Sequence, residues 1–314
     1  MVNEHLKKPV ICIMGPTATG KTDAAAACFD AFASQIISVD SSLVYQGMDI
    51  GTAKPDSAFL TRYPHHLVDI RHPNETYSVA DFVDDAQRLI KETHDANRIP
   101  VLAGGTMFYF SALEQGLSPL PSADQALREE ITATAAAEGG WASLHAKLAS
   151  LDPKSAQRID QNDAQRIQRA LEIVLLTGAP VPSNRVKSSA SPYRFIKVGL
   201  SFSDRSVLHQ RIEQRYLQMV EQGLYDEVQG LLESGVEPDT AAMRMIGYRQ
   251  VLEFLQGDTS KDESIQKGIA ATRQLAKRQL TWMRNQSNLI WWVNAGLIDK
   301  QFRPLTELIA QYLR

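Results

Sequence analysis

Apolar residues along this chain recur in two rhythms. Short continuous apolar runs stand at 10–14, 35–39, 66–70, 99–103, 195–200 and 289–293. Their length and β-branched content are those of buried strands. Between most of them, apolar positions recur every three or four residues, as at 23–33 and at 78–97, where Ser78 is placed to cap a helix. Strands alternating with helices predict an α/β fold with a mainly parallel sheet flanked by helices. The alternation stops from about Pro119 to Pro192. There the pattern is helical at 124–138, 141–151 and 163–177, with Gly178 as a C-terminal stop, and a polar, proline-punctuated stretch at 179–191. A helical insertion domain over 119–192 is therefore expected within a core made of 1–118 and 193–314.

In parallel α/β sheets, ligands bind beyond the carboxyl ends of the strands. Three strand ends carry chemistry. After the first comes Gly15-Pro16-Thr17-Ala18-Thr19-Gly20-Lys21-Thr22, the P-loop spacing G-x-x-x-x-G-K-T. Its glycines let backbone N–H groups turn inward, and the following helix adds its own free N–H groups and the positive end of its dipole. Lys21 supplies a point charge, and the Thr22 hydroxyl can ligate Mg²⁺. Such a loop suits a di- or triphosphate, ATP included. After the second strand comes Asp40-Ser41-Ser42, readable as a helix cap, a Mg²⁺ carboxylate or a catalytic group. After the fourth comes Gly104-Gly105-Thr106, readable as a turn plus cap or as part of the same site.

Composition narrows the class. The chain has 314 residues and a formal net charge of −3, which argues against a general nucleic-acid coat. Cys12 and Cys28 have no metal-ligand spacing, so a reduced cytoplasmic setting is expected. Residues 1–8 lack a signal-peptide pattern, and no apolar run reaches membrane-spanning length. Local basic edges stand out against the acidic total. Arg166 and Arg169 share a helix face, beside an apolar face of Ile167, Leu171, Val174 and Leu175. Arg211 and Arg215 lie four apart and repel unless an anion sits between them. No Asp or Glu occurs between Ser264 and Ile298, where Arg273, Lys277 and Arg284 form one edge of a helix. Arg244-Met245-Ile246-Gly247-Tyr248-Arg249 combines cations, a flexible glycine and a ring suited to base stacking. Solvated helix faces are the alternative for each.

Taken together, these segments resemble the tRNA dimethylallyltransferases over essentially the whole chain. The resemblance rests on the P-loop, I-S-V-D-S at Ile37 to Ser41, and G-M-D-I-G-T-A-K-P at Gly47 to Pro55. It continues through P-H-H-L-V-D-I at Pro64 to Ile70, G-G-T-M-F-Y at Gly104 to Tyr109, and G-L-S-P-L-P-S-A-D at Gly116 to Asp124. N-D-A-Q-R-I-Q-R-A-L-E at Asn162 to Glu172, I-G-Y-R at Ile246 to Arg249, and T-R-Q-L-A-K-R-Q-L-T-W at Thr272 to Trp282 complete it. Thr19 stands where serine is common, and Ser42-Leu43 fill a segment that often contains glutamine.

The resemblance implies transfer of a dimethylallyl group from dimethylallyl diphosphate to N6 of the adenosine just 3′ of the anticodon, in tRNAs reading codons that begin with U. The P-loop would hold the prenyl diphosphate with Mg²⁺. Lys21 and either Arg215 or Arg211 would stabilise the leaving diphosphate. Asp40 would take the N6 proton, and Thr106 would bond the diphosphate or the amine. Carried over by motif, Asp40, Ser41, Ser42, Leu43, Thr106 and Arg128 would contact the anticodon stem-loop. So would Gln165, Arg166, Ile167, Gln168 and Arg169, together with Arg244 through Arg249. The same holds for Lys277, Arg278, Gln279, Leu280, Thr281, Trp282, Met283 and Arg284. A cytoplasmic monomer is expected. The rivals are a small-molecule kinase or ATPase, and a non-catalytic RNA-binding module.

Overall fold

The computed structural model describes residues 7–182, 191–294 and 302–313. Parts of the expected 179–191 loop, of the acid-free stretch and of residues 1–8 lie outside the described residues. The chain divides into two compact units, Met1–Glu114 with Ser191–Arg314, and Gln115–Ala190.

The first unit begins with β1 (Lys8–Met14), α1 (Lys21–Ala31), β2 (Ser34–Val39), α2 (Ser57–Arg62), the two-residue β3 (His65–His66), α3 (Val79–Asp95), β4 (Ile99–Gly104) and α4 (Met107–Gln115). The second holds α5 (Gln125–Ala137), α6 (Trp141–Leu151), α7 (Pro153–Ala156) and α8 (Ala164–Thr177). The first unit then resumes with β5 (Tyr193–Phe202), α9 (Arg205–Glu221), α10 (Leu224–Glu233), α11 (Tyr248–Leu255), α12 (Lys261–Arg284), β6 (Leu289–Asn294) and α13 (Arg303–Leu313).

The described strands form a sheet in the order β3-β2-β4-β1-β5-β6, and every neighbouring pair is parallel. A parallel sheet is covered on both faces, so its central strands read as unbroken apolar runs. In β1, Val10, Ile11, Ile13 and Met14 are fully buried. On one face α1 and α13 pack through Ala24, Ala25, Cys28, Leu305 and Ile309 against Ile11, Ile13, Ile36 and Val198. Ser78 caps α3 reciprocally: the Asp81 N–H donates to its hydroxyl at 3.2 Å, and its own N–H donates to the Asp81 carboxylate at 2.7 Å.

The expected strand at 66–70 is only His65–His66. Leu67 and Asp69 adopt positive φ, which breaks the extended path, and the backbone N–H groups of Asp69 and Ile70 bond Leu43 and Val44 carbonyls instead. Leu175, expected on the buried face of α8, is exposed on its last turn, while Ile167, Leu171 and Val174 are buried.

The second unit is all helical among its described residues and has its own core of Ile131, Leu144, Leu148, Ile167 and Leu171. On α8 lies Glu172, whose side chain has no solvent exposure. Arg128 grips it with Nε at 2.8 Å and a terminal nitrogen at 3.1 Å, Arg169 pairs with it, and the Asp124 N–H donates at 2.8 Å. Arg169 also donates to the Pro121 carbonyl at 2.7 Å. Burial pushes the Glu172 carboxyl up, but these donors outweigh it and hold it below its ordinary 4.5. Its stabilising contribution is therefore present above pH 4.5 and lost as the pH falls further. Glu172→Ala should cost the second unit about 3 kcal/mol by leaving two arginines without their partner. Limited proteolysis should then cut within 115–190 first, and unchanged resistance would assign the network no structural weight.

Candidate active site

β4 lies between β1 and β2, and the register is level: Met14 and Val39 both pair with Gly104. The three loops that follow these strands therefore leave the sheet side by side, at strand spacings of about 4.8 Å. The P-loop, the Gly104-Gly105-Thr106 turn and Asp40 share one rim. The loops are stitched to one another. The Thr106 N–H donates to the Val39 carbonyl at 3.1 Å, and the Thr106 hydroxyl accepts from the Ser41 N–H at 3.0 Å. Asp40 Oδ1 accepts from the Ser42 N–H at 2.9 Å and the Ser42 hydroxyl at 2.6 Å.

The P-loop is closed on itself. The Thr19 and Lys21 side chains both donate to the Pro16 carbonyl, each at 2.8 Å. Thr19 thus does the internal closure that a serine hydroxyl would do. Gly20 has φ +85° and passes the chain directly into α1, leaving Thr22 exposed at the helix start. Two further helices brace the loop from outside. From α9, Arg211 donates through Nε to the Ala18 carbonyl at 2.9 Å and lies over the Phe202 ring. From α12, the Gln279 carboxamide accepts the Thr17 N–H at 3.1 Å.

Electrostatically, Lys21, Asp40 and Arg215 form one group. Burial lowers the Lys21 amine from 10.5 to about 8, with Asp40 opposing that shift and Arg215 adding to it. Burial likewise lowers Arg215, again against Asp40 and with Arg211. Two desolvated cations facing one carboxylate make a site that gains from an incoming anion. Arg215 also lines a cleft of about 630 Å³ with Gln218, Met219 and the 49–57 loop. That loop is held from behind: Glu227 accepts the N–H groups of Asp49, Ile50 and Gly51 at 2.7–3.0 Å and the Tyr248 hydroxyl at 2.6 Å. Lys54 is buried between Asp49, Asp69 and the Tyr45 carbonyl. Glu227 lies in no quoted motif, and the motifs that contain Lys54, Asp49 and Asp69 do not reveal their pairing.

Residues 43–286 match the family model described as IPP transferase. The protein from Thiobacillus denitrificans named tRNA dimethylallyltransferase is 53% identical over 293 residues, covering 93% of this chain and 91% of its own length. The chain belongs to this family of prenyltransferases. The crystal structure of the full-length tRNA isopentenylpyrophosphate transferase from Bacillus halodurans superposes with a TM-score of 0.73 at 39% identity, covering 98% of this chain and 97% of that one. Crystallographic snapshots of a eukaryotic dimethylallyltransferase acting on tRNA match with a TM-score of 0.74 at 25% identity, over 96% of this chain and 77% of the other.

In this dimethylallyltransferase-family chain, the residues matched to RNA contact separate into two groups. Arg166, Arg244, Arg249, Lys277, Arg278, Trp282 and Arg284 are exposed, as are Gln165 and Thr281. Trp282 meets exposed Phe108, just after Thr106, edge to face at 6.3 Å. Lys277, Arg278 and Arg284 have no acidic partner among the described residues, whereas Arg273, expected on the same edge, pairs with Glu213 at 2.6 Å.

The other group points inward or is engaged. Ile167, Leu280 and Met283 are core residues, so their side chains pack inside the protein in this structure. Tyr248 is fully buried with its hydroxyl on Glu227, so it is no base-stacking ring in this structure. Gly247 is buried and starts α11 with φ +96°, and Met245 and Ile246 are half-buried. Arg128 and Arg169 are committed to Glu172, and Gln168 donates to the Arg128 carbonyl at 3.1 Å. Gln279 is buried between two loops. The helical period alone cannot say which edge of an apolar stripe meets another element.

An anion beside Lys21 favours its protonated form. Pyrophosphate binding should therefore take up a proton when the pH is near 8, the value to which burial brings this amine. Calorimetry in two buffers of different ionisation enthalpy reads that uptake. Lys21→Met should lower the net uptake and weaken binding by about 10²-fold. Proton exchange unchanged by Lys21→Met would place the anion away from Lys21.

Proposed function

We propose that this chain transfers a dimethylallyl group from dimethylallyl diphosphate to N6 of the adenosine just 3′ of the anticodon in tRNAs reading codons that begin with U. The observation that carries the reading is the placement of a phosphate-binding loop and a carboxylate on one rim, two strands apart, in a chain of the prenyltransferase family. The P-loop N–H groups, Lys21 and Arg215 hold the diphosphate. Arg211 serves the loop through Ala18 rather than the ligand. Mg²⁺ fits this donor set: the ion commonly takes only one or two protein oxygens plus phosphates and water. Exposed Thr22 at the start of α1 offers such an oxygen, and the described residues contain no acidic or histidine cluster that would hold an ion by itself. When bound, the ion neutralises charge on the diphosphate.

The exocyclic amine of adenine is a weak nucleophile because its lone pair is delocalised into the ring. As the N6–carbon bond forms, the carbon–oxygen bond to diphosphate breaks, and its electron pair leaves on the diphosphate oxygen. The N6 proton passes to Asp40. Oδ1 of Asp40 already accepts two bonds from Ser42, which orients the carboxylate and leaves Oδ2 without a protein donor among the described residues. Thr106, fixed by Ser41, stands between base and donor loop. The exposed cations of α12, and separately those at the start of α8, supply phosphate contacts to the anticodon stem-loop. The enzyme works as a monomer in the cytoplasm. Two free, buried cysteines support that setting.

Incubation with Mg²⁺, an anticodon stem-loop and dimethylallyl diphosphate should add the mass of one dimethylallyl group to the RNA. Asp40→Asn should bind the stem-loop normally yet lose at least about 10²-fold in single-turnover rate. Near wild-type turnover would remove Asp40 as the base. Lys277→Ala and Arg284→Ala should each weaken stem-loop binding and lower the slope of log affinity against log salt by about 0.7. An unchanged slope in both would return that edge to solvent.

A further inference from the structure

Gln279 lies on α12, in the segment matched to RNA contact, yet both ends of its carboxamide are engaged by protein backbone. Oε1 accepts the Thr17 N–H of the P-loop at 3.1 Å, and Nε2 donates to the Gly105 carbonyl at 2.8 Å. The residue is only 8% exposed. Gly105 makes the approach possible, since a Cβ there would stand 2.5 Å from Nε2. Neighbouring positions of the same helix, Ala276 and Leu280, pack with Ala18 of the P-loop and with Leu208 and Ile212 of α9. The helix is thus keyed to the donor loop by apolar contact, and to both loops by a single amide.

We infer that Gln279 is a positioning residue for the transfer reaction. It acts as a two-ended spacer that sets the P-loop against the Gly104-Gly105-Thr106 turn, and so sets the bound diphosphate against Thr106 and Asp40. The inference rests on the prenyl-transfer reading for its effect on rate, but not for its effect on the donor loop. The chemistry of the side chain is specific. A carboxamide of this length both accepts and donates. Glutamate has the same shape but sets a second acceptor against the Gly105 carbonyl. Methionine fills the space and serves neither loop. Misplacing a reacting group by about 1 Å is enough to cost about 10²-fold in rate, so loss of the spacer is felt in the chemical step.

The full-length protein and its Gln279→Glu and Gln279→Met variants test this with four readouts. They are affinity for pyrophosphate with Mg²⁺, affinity for the stem-loop, single-turnover transfer rate with both substrates saturating, and Tm. Both variants should transfer at least about 30-fold more slowly at saturation and bind pyrophosphate about 10-fold more weakly. Stem-loop affinity should stay within about two-fold, and Tm should move by only a few degrees. Weaker stem-loop binding with an unchanged saturated rate would make Gln279 an RNA contact and overturn the inference. Wild-type pyrophosphate affinity in both variants would overturn it as well, as would rate losses matched by a collapse of Tm in both. A wild-type protein that binds pyrophosphate without transferring a prenyl group would sink the reaction assignment instead, and the pyrophosphate comparison would still decide the spacer.

Discussion

Gly104 has no room for a side chain, and much of the site follows from that. A Cβ at this position would lie 1.9 Å from the Val39 carbonyl oxygen, so β4 and β2 close against each other at their carboxyl ends. The same Val39 carbonyl accepts the Thr106 N–H, and Thr106 in turn fixes the backbone of Ser41. The Asp40 loop and the threonine turn are therefore one stitched piece. On the other side of β4, the level pairing of Met14 with Gly104 brings the P-loop to the same height. Close backbone approach, available only to glycine, places the P-loop and the Asp40 carboxylate on one rim.

Charge is then distributed to match. Lys21 of the P-loop and Arg215 of α9 are desolvated, and in both Asp40 opposes the shift. Such groups favour an anionic ligand because it supplies what burial removed. Within each unit, other charges divide into paired and unpaired sets. Arg128, Arg169 and Arg273 have carboxylate partners, whereas Lys277, Arg278 and Arg284 have none among the described residues. A helix edge of exposed cations in a chain of net negative charge is suited to a polyanion.

The strands, most helices and the three loop positions were legible in the sequence because each obeys a local rule. Central parallel strands are continuously apolar, Ser78 and Gly178 mark helix ends, and ligand loops follow strand ends. The departures have physical causes that lie outside local pattern. The 66–70 strand failed because Leu67 and Asp69 turn left-handed to serve the Lys54 and Val44 neighbourhood. Tyr248 and Gln279 look like surface RNA contacts in a motif, but they are buried by partners 21 and 262 residues away in sequence. Glu172 and Glu227 read as ordinary helix acids, and only the fold shows several donors converging on each. Long-range satisfaction of buried polar groups leaves no periodic trace.

If the aligned rim is a prenyl-diphosphate site, its stoichiometry exposes it. The protein is incubated with Mg²⁺, an anticodon stem-loop and equal amounts of dimethylallyl diphosphate and ATP, and both products are counted. Prenyl transfer requires one diphosphate released for each dimethylallylated RNA, with ATP left intact. Phosphate released from ATP, with the RNA unmodified, would make the P-loop an ordinary nucleotide site and contradict the assignment.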